Sequence, residues 1–142
     1  MDAWNAKSGE TQMSLDFSLS WTVINGGGGS QFSPDWGTVE SHLNEIWRQS
    51  GSVVVHLLST EDTGPERLQV LSECGRYILM LGENTVDDYY VRTYDNGLNA
   101  TGFTDLHGEA FPACAVFADF QIVLKAFRQF FETGDVSRDL LN

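Results

Sequence analysis

From Ser14 to Ile24 apolar and polar side chains alternate, with Leu15, Phe17, Leu19, Trp21 and Val23 on one side of the repeat. A period of two predicts a half-buried strand. Asn25 to Ser30 reads NGGGGS and predicts a flexible loop. It matches a common engineered linker, but both flanks fit one domain, so it is read as a natural loop. The period then changes to helical. Ser33 is placed as N-cap and Pro34 at the first helical position. Trp36, Val39, Leu43, Ile46 and Trp47 form an apolar face, and Gly51 is a C-terminal stop. Ser52 to Leu58 is apolar on both faces, as in a central strand. A turn at Glu61–Glu66 leads to strands at Arg67–Ser72 and Tyr77–Leu81, joined through Cys74-Gly75. Val86 to Tyr94 predicts a further strand, ending in the turn Asp95-Asn96-Gly97. Leu98 to Pro112 is expected to be irregular. Phe120, Val123, Leu124, Phe127, Phe130 and Phe131 stripe a last helix from about Asp119 to Thr133, closed by Gly134.

These elements predict one α+β domain over residues 1–142: an antiparallel sheet of about five strands with two amphipathic helices packed on it. Residues 1–13 are read as a flexible N-terminal tail. A chain of 142 residues with 9 Phe and 4 Trp can bury a sizeable core. No apolar run approaches a membrane span, and the polar N-terminus carries no secretory signal pattern. The expected location is therefore cytoplasmic. Cys74 and Cys114 are read as free thiols, with a single bridge between them as the alternative.

Charge sharpens the functional reading. Twenty Asp and Glu against eight Lys and Arg give a net charge of −12. Such a field repels nucleic acid and anionic membrane and speeds the approach of a basic partner. Half of that charge falls between Glu83 and Asp119. There Glu83, Asp87, Asp88, Asp95, Asp105, Glu109 and Asp119 are opposed only by Arg92. A solvated loop region would look like this, and so would a docking surface for a basic protein. Tyr89 and Tyr90 lie among the acids. As neighbours on a strand they point to opposite faces, so one of them is expected in the core.

Catalytic motifs are absent. The glycine run lacks the spacing of a dinucleotide or phosphate loop, and no G-x-S-x-G occurs. His42, His56 and His107 form no i,i+4 pair. His107-Gly108-Glu109 followed by Pro112-Ala113-Cys114 has the flavour of the zinc deaminase signature. The halves are too close together, and the second cysteine is missing. No metal site, cofactor or catalytic residue is therefore assigned, and no enzyme is expected.

The run from Glu109 to Gly134, EAFPACAVFADFQIVLKAFRQFFETG, resembles the closing segment of a family of bacterial immunity proteins that guard against polymorphic toxins. The matching features are Phe111-Pro112, the amphipathic helix from about Asp119, and Phe130-Phe131-Glu132-Thr133-Gly134. The helix Trp36–Ser50, the phrase Gly75-Arg76-Tyr77-Ile78-Leu79 and the strand Asp87–Tyr94 extend the resemblance to about Val39–Gly134. The chain departs from the pattern after Thr133-Gly134, where the common Pro and terminal Trp are missing. The resemblance implies a non-enzymatic antitoxin of interbacterial competition, as in type VI secretion. Its partner would be a cognate toxin with a basic surface, a nucleic-acid deaminase or otherwise a nuclease, with its active site or substrate groove occluded. The expected partner-binding residues are Glu83, Asp87, Asp88, Tyr89, Tyr90, Asp95, Asp105 and Glu109. The alternatives are an acidic adaptor or chaperone-like module, and a small enzyme with a pocket lined by His107, Glu109 and Asp105.

Overall fold

The alternation starting at Phe17 becomes strand β1 (Phe17–Val23) of a computed structural model that describes residues 15–58 and 61–142. The expected N-terminal tail, residues 1–13, lies outside the described residues. β2 (Gly27–Phe32), α1 (Trp36–Gln49), β3 (Gly51–Leu57), β4 (Gly64–Glu73), β5 (Arg76–Asn84) and β6 (Tyr89–Thr93) follow. Next come the hairpin β7 (Phe103–Leu106) and β8 (Glu109–Pro112), a 3-10 turn at Ala113–Ala115, and α2 (Phe120–Thr133). The fold is α+β. One antiparallel sheet has the order β2-β1-β3-β4-β5-β6, and β7-β8 forms a second, two-stranded sheet.

Both helices pack on one face of the large sheet. Phe17, Leu19 and Val23 of β1 meet Val53 and Val55 of β3, Leu68 and Val70 of β4, and Tyr77, Leu79 and Leu81 of β5. Val39, Leu43 and Ile46 of α1 and Val123, Ala126, Phe127 and Phe130 of α2 close this core. Burying each such side chain contributes roughly 1.5–3 kcal/mol. α2 ends as its sequence predicts: Gly134 takes the left-handed conformation at φ 80° and donates its N–H to the Phe130 carbonyl. Asp119 caps the other end by accepting from Gln121 N–H.

Four expectations are corrected. First, the glycine run is a strand. Asn25 and Gly27 take positive φ in the turn, and Gly27–Phe32 then pairs with β1 without a bulge. Its lack of side chains serves packing. A Cβ on Gly29 would come within 2.6 Å of the Trp21 indole, which stacks in turn on His42 at 3.8 Å between ring centroids. Second, Asp35 and not Ser33 caps α1, accepting from the Thr38 N–H at 2.8 Å. Ser33 sits at φ 52° with its N–H bonded to Phe17, and Pro34 is buried before the helix begins.

Third, Leu98–Pro112 is not wholly irregular. His107 (φ 54°) and Gly108 (φ 79°) form a two-residue turn with both φ positive, the signature of a type I′ hairpin. The histidine and glutamate of the H-x-E phrase thus serve a turn. Ile78, Leu106, Phe111 and Ala115 form a second, smaller core where this hairpin lies on the sheet face away from the helices. Fourth, neither tyrosine is core: Tyr89 is 41% and Tyr90 56% exposed. β6 is an edge strand, and its first half runs beyond the cover of the helices and of the hairpin.

Candidate functional site

The acidic residues singled out in sequence occupy separate places. Asp87 and Asp88 form the tip of the β5–β6 connection. Two hydrogen bonds close that tip: Thr85 N–H donates to the Asp88 carbonyl at 2.8 Å, and Asp88 N–H donates to Thr85 Oγ1 at 3.0 Å. Val86 projects from it with 88% of its surface exposed. Asp105 and Glu109 lie on the hairpin, where Arg76 donates to the Asp105 carbonyl. Arg76 opens β5 and Asn84 closes it. Nine residues at about 3.4 Å per residue therefore put Asp105 on the order of 30 Å from Asp87 and Asp88, while Glu109 lines a cleft with Met80 and Arg67 over the middle of the sheet. Asp95 stands at a third place, accepting from Gly97 N–H in the turn after β6.

Glu83 is not a free docking acid. Its Oε1 accepts from Arg92 at 3.1 Å and its Oε2 lies 3.5 Å from Arg138. Arg92 is buried at 5% exposure and also holds Asp135 Oδ1 at 3.0 Å and the carbonyls of Val136 and Leu141. This cluster fastens the chain after α2, with its buried Val136 and Leu141, against β6.

The first half of β6 is different. The pair Thr85/Asp88 is hydrogen-bonded, so the antiparallel alternation makes Glu83/Tyr90 and Leu81/Arg92 bonded pairs as well. Tyr89, Val91 and Thr93 must then turn their backbone groups away from β5. Thr93 confirms it by exchanging both of its bonds with Asn142. Tyr89 N–H is taken by Asp88 Oδ1 at 3.1 Å. Among the described residues, the carbonyl of Tyr89 and both backbone groups of Val91 have no partner along the edge. The Tyr89 hydroxyl lies over Gly82, where no side chain could fit beside it. Tyr89, Tyr90, Val86 and Val91, all exposed, thus surround Asp87 and Asp88 at one corner of the molecule. The sequence reading missed Val86 and Val91. Val86 is exposed because it stands in the β5–β6 turn, and Val91 because it faces outward on a strand that the fold leaves at the edge.

A cleft lies between the hairpin and the sheet face away from the helices. It has a volume of about 430 Å³ and is lined by Arg67, Gln69, Ser52, His107 and Glu109 among others. Asp105 is not part of it. His107 Nε2 lies 2.8 Å from the Ser72 carbonyl, which can only accept, so this nitrogen carries the proton. Among the described residues no group of three or more His, Cys, Asp or Glu could hold a metal ion. Nor is any described helix long and apolar enough to cross a membrane.

Residues 19–140, most of the chain, match the model of one protein family. The chain belongs to the family of unknown function DUF6911. No curated protein matches it. A hypothetical protein from Neisseria gonorrhoeae, known from its crystal structure, has the same fold. The TM-score is 0.72 at 13% identity, covering 88% of this chain and 92% of that one. At that identity the likeness concerns the fold alone. Residues 19–140 run from inside β1 to the segment tied down by Arg92, so the family unit includes both the β6 corner and the hairpin cleft.

Proposed function

We propose that this chain is an immunity-type protein. It binds a cognate toxin that acts on nucleic acid, a deaminase before a nuclease, and occludes the toxin's active site or substrate groove. The observation that carries the reading is the β6 corner, where two exposed tyrosines and two exposed valines surround a pair of carboxylates on an open strand edge. A few hot-spot residues, among which Tyr is enriched, carry most of the binding energy of a protein interface, and acids beside them favour a basic surface. The open backbone of Tyr89 and Val91 offers hydrogen bonds to an extended segment of the partner. A net charge of −12 steers the encounter with a groove built for phosphate. The role requires no catalytic step by this chain, no cofactor and no contact with nucleic acid or membrane, and the toxin would be met in the cytoplasm.

The experiment is capture of partners by the tagged chain from its source organism, followed by mass spectrometry. One stoichiometric partner bearing a basic toxin domain is expected. Many weak partners would favour the acidic adaptor instead. The enzyme reading draws on the cleft holding His107 and Glu109. His107→Ala with Glu109→Gln separates the two: toxin neutralisation should survive it, whereas loss of neutralisation with the fold intact would move the function to the cleft.

A further inference from the structure

The sheet is electrically lopsided. No residue between Asp16 and Asp35 carries a formal charge, and none does in β3 from Gly51 to Leu57. The half made of β2, β1 and β3 is neutral, while β4, β5, β6 and the hairpin carry charged side chains. The neutral half ends in β2, which is exposed along all six residues, GGGSQF. Natural edge strands are protected by lysine, proline, bulges or a covering segment. β2 has neither Lys nor Pro, and its register to β1 is unbroken from Gly27 to Phe32.

The parity of that pairing is fixed by Ser33, whose N–H donates to the Phe17 carbonyl at 2.9 Å. Gln31, Gly29 and Gly27 therefore bond to β1, and Gly28, Ser30 and Phe32 turn their N–H and C=O groups outward. The same three residues share the sheet face away from the helices, since their partners Thr22, Ser20 and Ser18 lie on it. Phe32 is 79% exposed there.

We propose that β2 pairs antiparallel with β2 of a second copy of this chain, about a two-fold axis through Ser30. In that register Ser30 faces its own symmetry mate and Phe32 faces Gly28 of the other copy, with all three outward-turned residues used. Each ring then covers the backbone of a glycine that has no side chain of its own, a pairing known to steady edge glycines. A foreign strand would find little to read, because three of the six β2 residues are glycine. A self-pair needs no such pockets, since symmetry supplies the match. Charge makes the same choice. Two chains of net charge −12 repel least when their neutral edges meet, and the acidic β6 corners then point away at the two ends of a continuous sheet. The proposal does not depend on the toxin-binding reading, which uses the opposite edge.

One six-residue strand is a small contact beside the roughly 1,600 Å² of a standard stable interface, so a dissociation constant on the order of 10 µM is expected. The test is light scattering on the full chain across a concentration series reaching ~100 µM. The mass should rise from 15.8 kDa towards twice that value. Ser30→Pro removes only an outward N–H and should hold the mass at that of one chain. If circular dichroism shows that Ser30→Pro is misfolded, Ser30→Lys sets two like charges opposite each other and should act the same way. With Cys74→Ser and Cys114→Ser as background, Ser30→Cys should give a reducible crosslinked dimer and Val91→Cys should not. The proposal is overturned by a single-chain mass throughout, by a dimer that a folded Ser30 variant leaves intact, or by crosslinking at Val91→Cys in place of Ser30→Cys.

Discussion

Arg92→Met should be among the most damaging single changes in this chain. Arg92 is 5% exposed, and its guanidinium spends its donors on Glu83, Asp135 and the carbonyls of Val136 and Leu141. A methionine has a similar apolar volume but no donor. It would strand the Glu83 carboxylate, itself only 17% exposed, and leave two carbonyls without their partner. Removing one member of a buried pair costs about 3–5 kcal/mol. A domain of this size holds roughly 5–15 kcal/mol in all. Arg138 still reaches Glu83 from solvent at 3.5 Å, which offsets only part of the loss. Urea unfolding followed by far-ultraviolet circular dichroism should therefore show a loss near 3 kcal/mol. Arg92→Met combined with Glu83→Gln should be more stable than the sum of the two single changes, because the stranded charge is gone. A loss below ~1 kcal/mol for Arg92→Met, or strict additivity in the double variant, would refute the view that this ion cluster clamps the C-terminal segment.

Three further outcomes follow from the geometry. Asp35→Ala should lower stability while Ser33→Ala leaves it nearly unchanged, since Asp35 alone caps α1; thermal melts of both variants decide this. The Thr38 N–H, followed by the Thr38 hydroxyl, holds the Asp35 carboxyl below its usual range. Its contribution is thus complete above the unfolded value near 3.9 and is lost as pH falls through the folded one, so Asp35→Ala should flatten the acid limb of the stability curve. Burial raises the Tyr77 phenol above its ordinary value, so Tyr77 favours the fold below about pH 10 and loses that contribution as pH rises through the folded value. Tyr77→Phe should shift alkaline unfolding to higher pH, read by circular dichroism. For toxin binding, Asp87→Lys with Asp88→Lys should weaken the complex at least tenfold and reduce its salt dependence, whereas Asp105→Lys with Glu109→Lys should change it far less; titration calorimetry at two ionic strengths separates the pairs.

The helices were legible because their signals are local. The stripe Val123, Phe127, Phe130 and the stop at Gly134 are written within one segment, and both appear in the fold. β3 read as central because Val53, Val54 and Val55 leave no polar face, and it does lie between β1 and β4. β2 was not legible, since its pairing depends on Trp21 of another strand filling the space over Gly29. The His107-Gly108 turn could have been found from its two-residue spacing between alternating segments. The acidic cluster misled most. Residues close in sequence from Glu83 to Glu109 are distributed between the β5–β6 turn and the hairpin on the sheet face away from the helices, and Glu83 is drawn into the buried cluster around Arg92. Periodicity reports which way a side chain faces, but not which strand becomes the edge.

Whether the β6 corner disarms a toxin is read from the growth of cells that express the captured toxin domain together with this chain. Full rescue by the native chain is expected, with loss of rescue by Asp87→Lys, Asp88→Lys and Tyr90→Ala combined, and retained rescue by Asp105→Lys with Glu109→Lys. Rescue by the β6-corner variant equal to that of the native chain, with both proteins folded, would contradict that role of the corner.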